Sequence, residues 1–143
     1  MRVGLVSCTK RKLDHAAPAR ELYATSALFS GARCYVERTC DRWFVLSAKH
    51  GLVRPEQVLE PYDQTLNDAS LAERRAWSER VLAQLRAELG ELRGITFQVH
   101  AGGTYLDFGL KHGLLAEGAF VEEPLDRLSL GRRLSFYKKE ACL

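Results

Sequence analysis

The chain has 143 residues, of which 46% are hydrophobic, 27% charged and 9% aromatic. That balance belongs to a globular domain and argues against a long disordered tail, a two-domain enzyme or a disulfide scaffold; one core is expected, burying about 68–70% of the unfolded surface. The net charge of +3, from 21 basic and 18 acidic residues, permits phosphate-bearing partners but falls well short of a DNA-packaging protein.

Val3 to Val6 reads VGLV and stops at Ser7, Cys8, Thr9 and Lys10. A short apolar run bounded by polar residues suits a strand buried on both faces. Pro18 and Ala19 are expected to open a helix through ELYATSALFS, with Gly31 past its end and Leu22, Leu28 and Phe29 toward the core. Trp43 to Ser47, WFVLS, is a second buried strand, followed by the ordered loop AKHGLVRPEQVLEPYDQTLNDA. Ser70 and Glu73 fit a capping box, predicting a long helix to about Leu92 with Leu71, Val81, Leu82, Leu85 and Leu89 on its apolar side. Ile95 to Val99 is a third strand, and Thr104 is placed to cap a short helix through Leu110. Ala119 to Leu128 reads as strand then loop, and Leu130 to Glu140 as a closing helix.

This alternation predicts a single compact α/β domain over residues 1–143, three-layered, with a mainly parallel central sheet flanked by helices. No run of about 18 apolar residues occurs, so no membrane-spanning helix is expected. The opening MRVGLVSCTKRK sets its apolar stretch before its basic cluster, the reverse of a secretory signal. Cys8, Cys34, Cys40 and Cys142 are scattered without CxxC spacing. They read as thiols of a reducing, cytoplasmic compartment, with Cys34, Cys40 and Cys142 as packing or incidental residues.

The three expected strands end in SCTKRK, SAKHG and HAGGT. In an open parallel sheet ligands sit beyond the carboxyl ends of the strands, so parallel order would bring these clusters to one edge. Ser7, Cys8, Thr9, Lys10 and Lys12 offer hydroxyls, amides and ammonium groups to a phosphate; the plainer reading is a solvated basic turn. Cys8 is also a candidate nucleophile with His50 or His100 as base, against a small buried filler. Ser47, Lys49 and His50 follow the second strand; imidazole titrates near neutrality, making His50 the acid–base candidate, against a loop-holding role. Tyr62 can stack on a base and Asp63 activate water, or the pair can simply form a turn. Gly102, Gly103, Thr104 and Tyr105 allow a ligand close to the backbone, as would any tight turn. The four histidines show no HxxxH or HxH spacing, so neither a metal nor a cofactor is implied. Arg127, Arg132, Arg133, Lys138 and Lys139 make the C-terminal end basic, read first as a solvated surface and second as a track for a nucleic-acid backbone.

Taken together, SCTKRK, LYATSALF, LSAKHGLVRPEQVLEPYDQTL and AGGTYLD resemble a small family of bacterial and phage proteins that is in turn similar to the YaaA family of peroxide-stress proteins. Ser7-Cys8-Thr9-Lys10 stands where YaaA proteins carry Ser-Pro-Ala-Lys. Leu46 through Pro55, with Pro61-Tyr62 after it, resembles their Leu-Ser-Gly-Leu-Tyr-Gly-Leu-Leu-Arg-Pro and following Pro-Tyr. Ala101 through Tyr105 is similar to their Ala-Ser-Asn-Glu-Tyr. The resemblance implies a YaaA-like α/β domain, similar in architecture to uracil-DNA glycosylases, and a partner that is a nucleotide-type small molecule or a nucleic acid. Lys49-His50 replaces a Leu-Tyr pair, and the helix-hairpin-helix insertion of YaaA proteins has no counterpart here. The resulting expectation is an enzyme on a nucleobase, nucleoside or nucleotide, hydrolysing an N-glycosidic bond with Asp63, His50 and Lys49. Its alternatives are a non-catalytic nucleotide- or nucleic-acid-binding protein of a YaaA-like stress response, and a cysteine enzyme using Cys8.

Overall fold

The computed structural model describes residues 1–143. A five-stranded sheet in the order β4-β3-β1-β6-β7 forms the middle layer, from β1 (Arg2–Ser7), β3 (Arg42–Ser47), β4 (Gly51–Val53), β6 (Thr96–His100) and β7 (Phe120–Glu122). β1 runs parallel to both β3 and β6, and β6 parallel to β7; only β4 is antiparallel, folding back on β3. β2 (Ala17–Pro18) and β5 (Val58–Leu59) make a separate two-stranded ribbon. The expected α/β domain with a mostly parallel central sheet between helices is what the chain forms. No helix is long and apolar enough to cross a membrane.

One face of the sheet carries α2 (Ala27–Thr39), with α6 (Leu130–Lys139) packed behind it. Gly4 makes this possible, since a β-carbon there would lie 2.7 Å from the Val36 side chain. Trp43, beside Gly4 in register, shares that face and meets Phe29, while its neighbour Phe44 alternates to the other side. There α3 (Leu71–Leu89) buries Trp77, Val81, Leu82 and Leu85, next to α5 (Leu110–Ala116) and the short α4 (Gly103–Leu106). The Ser70–Glu73 capping box is formed, and Gly90 ends the helix at φ 75°. Gln84 of α3 accepts from the Leu52 N–H and donates to the His50 carbonyl, closing the open edge of β4.

Several boundaries differ from the sequence expectation for local reasons. The first helix is broken: α1 (Ala19–Leu22) stops, and Ser26 starts α2 afresh by accepting from the Phe29 N–H. Gly31 therefore sits inside α2, where a β-carbon would lie 2.6 Å from the Tyr137 ring. α3 ends at Leu89 rather than Leu92, and Leu71 is solvent-exposed in its first turn. The loop after β3 holds β4, β5 and a 3-10 turn at Leu66–Asp68. Gly102, not Thr104, caps α4, and a second helix, α5, takes over at Leu110. The reading of Cys34 and Cys142 as incidental thiols is corrected. α6 lies along α2 and brings their Cα atoms to 5.6 Å, where they form a disulfide; Cys8 and Cys40 remain free.

Candidate functional site

Parallel pairing puts the carboxyl ends of β1, β3 and β6 on one edge of the sheet. A cavity of about 550 Å³ opens there, within the range of small-molecule sites. Cys8, Thr9, Lys10 and Lys12, from the segment leaving β1, form one wall. Asp63, Gln64, Thr65, Asn67 and Asp68, around the 3-10 turn, form the other, and Tyr105 of α4 closes the end. The two walls are oppositely charged, yet neither Lys10 nor Lys12 lies within ion-pair distance of any carboxylate. Asp63 and Asp68 likewise meet no cation.

The walls are held from below by side chains that use up their own polar groups. Tyr62 is buried, with its hydroxyl 2.6 Å from that of Tyr23 and 2.7 Å from Ser47 Oγ. Ser47 Oγ in turn accepts from the His50 N–H, and the Ser47 carbonyl accepts from the Trp77 indole. Lys12 Nζ rests 4.6 Å above the Tyr62 ring and donates to the Lys10 carbonyl at 3.4 Å, so its ammonium is steered toward the cavity wall. Cys8 Sγ lies 3.1 Å from the Tyr105 hydroxyl, and the Tyr105 ring meets Trp77 edge-on. Burial pushes the hydroxyls of Tyr23, Tyr62 and Tyr105 upward, so all three stay protonated near neutrality.

Thus Cys8, Thr9, Lys10, Lys12, Asp63 and Tyr105 come together, and the other expected residues do not join them. Ser47 is fully buried and Tyr62 nearly so, which makes them supports rather than ligand contacts. Lys49 is exposed, 6.0 Å from the Tyr62 ring. His50 turns onto a different cleft, of about 360 Å³, with Arg54, Gln84 and Glu88. Its pKa is lowered by burial, with Lys49 and Arg80 adding to the effect. Ser7 lines a narrow slot beneath α2. Gly102 and Gly103 flank the cavity without lining it, and Thr104 donates to Asn67 Oδ1 at 3.1 Å, tying α4 to the 3-10 turn. His100 is buried between the Tyr137 hydroxyl and Gln98 Oε1, each at 2.7 Å, so it serves the core and is no base for Cys8. No cluster of three His, Cys, Asp or Glu side chains is spaced to hold a metal.

Gln64, Asn67 and Asp68 on the wall, and Tyr23 beneath it, are absent from the sequence reading. The run Gln64-Thr65-Leu66-Asn67-Asp68 did carry a signal: one buried leucine amid polar residues, with Thr65 accepting from the Asn67 N–H to start the turn.

Residues 3–139 match the model of a family described as a family of unknown function, DUF6884. No curated protein and no solved structure matches the chain.

Proposed function

We propose that this chain, which belongs to the DUF6884 family, is an enzyme that hydrolyses the N-glycosidic bond of a nucleotide-type substrate in the strand-end cavity. The observation that carries this reading is the cavity's two unpaired walls, lysines facing carboxylates without an ion pair across the gap. Such a site suits a ligand with an anion at one end and hydroxyl or amine donors at the other. Lys10 and Lys12 take the phosphate, with hydrogen bonds strengthened by charge. Tyr105 flanks the base. Asp63 accepts the proton of the attacking water and, with Asp68, stabilises the positive charge that develops on the sugar as the bond to the base breaks. The departing base takes its proton from solvent, because burial makes the Tyr105 hydroxyl a weaker acid than an ordinary phenol. His50 faces the neighbouring cleft and has no part in this reading.

Incubating the protein with nucleosides and nucleoside monophosphates and separating released bases by chromatography tests it. Asp63→Asn is expected to lower base release by a factor of 100 or more, the usual scale for a positioned general base. Lys10→Ala should raise KM more than it lowers kcat. Undiminished release from Asp63→Asn sinks the assignment. Binding without release by the wild type points to a nucleotide-binding protein, and loss of release in a folded Cys8→Ala variant to a cysteine enzyme.

A further inference from the structure

The cavity has a basic neighbour on the far side of Thr9. Thr9 lines both the cavity and the narrow slot beneath α2, and the slot is where Arg133 of α6 sits, beside Ser7 and Tyr137. Arg133 is half-buried, and its Nε donates to the Leu128 carbonyl at 3.0 Å. That bond fixes the guanidinium, while its two terminal nitrogens meet no acceptor within the protein. A fork of free N–H groups held in place is the geometry that receives a phosphate with little further ordering.

Arg2, Arg33, Arg42, Arg54, Arg86 and Lys111 elsewhere on the molecule each pair with a carboxylate. Lys10 and Lys12 of the cavity and Arg133 of the slot that adjoins it at Thr9 pair with none, as is also true of cations such as Lys49, Arg75 and Arg80 away from this edge. One small anion needs the cavity's own lysines and no more. A band that continues past the cavity matches a ligand whose phosphates continue as well.

We infer that the cavity takes one nucleotide of a single-stranded nucleic acid, and that Arg133 binds the phosphate of the adjoining nucleotide across Thr9. A single strand is favoured over a duplex because a concave site can admit only a base that is out of the stack. This rests on the nucleotide reading of the cavity, but it concerns binding and is measured apart from base release.

The test is fluorescence anisotropy with a labelled six-nucleotide single strand, as DNA and as RNA, beside calorimetry with nucleoside 5′-monophosphates. The proteins are the wild type, Arg133→Ala, Arg133→Lys and Lys139→Ala, the last a cation near the end of the same helix; thermal melts establish that each is folded. The strand should bind more tightly than any monophosphate and more tightly than its duplex. Arg133→Ala should weaken strand binding roughly tenfold, reduce the salt slope by about 0.7, and leave monophosphate affinity unchanged. Arg133→Lys should recover part of the loss, and Lys139→Ala should change neither ligand. The inference is overturned if the strand binds no better than the monophosphate, or if both alanine variants weaken it equally. It is equally overturned if Arg133→Ala weakens both ligands alike. Monophosphate binding and base release without strand preference would remove this inference and leave the hydrolase. Strand binding that depends on Arg133, without base release, would do the reverse.

Discussion

His100 is held by two fixed partners that together specify its neutral form. Gln98 Oε1 can only accept, so the ring nitrogen facing it carries the proton, and the other nitrogen accepts from the Tyr137 hydroxyl. Burial pushes its pKa down to about 4 from an ordinary 6.5. Between those values the unfolded chain binds a proton that the folded chain does not, so stability present above pH 6.5 falls as the pH drops toward 4. The loss from this group should reach about 2 kcal/mol by pH 5. Urea unfolding at pH 7 and pH 5 measures it, and His100→Asn should flatten the difference; an unchanged slope in the variant would show that another group carries the effect. Residue by residue, the candidate site was legible where a polar cluster leaves a strand and stays in solvent, as Lys10, Lys12 and Asp63 do. It was illegible where the last strand positions turn beneath a helix: Ser47 and His100 are as polar in sequence as Lys10, and only the layers around them make them core. His50 escaped for another reason, because β4 folds straight back along β3 and carries it to the neighbouring cleft.

Among the elements, the crossing of α2 and α6 is the most constrained. Gly31 lets the Tyr137 ring lie on the helix backbone, since a β-carbon there would stand 2.6 Å from Tyr137 Cγ. Gly31→Ala gains up to about 1 kcal/mol of helix propensity and loses about 1–3 kcal/mol to overpacking against an aromatic ring that cannot shorten. A net loss of about 1–2 kcal/mol is expected in chemical denaturation, and a more stable variant would mean that α6 shifts freely. The same glycine explains why the sequence misleads here. Glycine ordinarily marks the end of a helix, and a packing requirement from a residue 106 positions later has no local signature. The three apolar strands and the capping box were readable because each is a local pattern repeated over four or more residues. β4, β5 and β7, of two or three residues each, are too short to show a period and owe their existence to the strands beside them.

On the scale of the molecule, the disulfide between Cys34 and Cys142 spans 108 residues. Cross-linking ends so far apart restricts the unfolded chain severely, worth about 4–5 kcal/mol in the chain-entropy account. Against a whole-domain stability of roughly 5–15 kcal/mol, that is a large share. Denaturation with and without reductant, or of Cys142→Ser, is expected to show a loss of this order. A loss below about 1 kcal/mol would mean that α6 docks on α2 without the link. Spacing along the chain offered no hint of this pair, because only the return of α6 to α2 brings the two cysteines together. The link also sets how the chain can be stretched. Force applied at Leu143 passes through the bond into α2, so an oxidised molecule pulled by its ends can extend only its first 34 residues, about 120 Å. Once reduced, the same 143 residues reach about 500 Å. The short tether includes β1, the strand that pairs with both β3 and β6, so in the oxidised molecule tension falls first on the centre of the sheet.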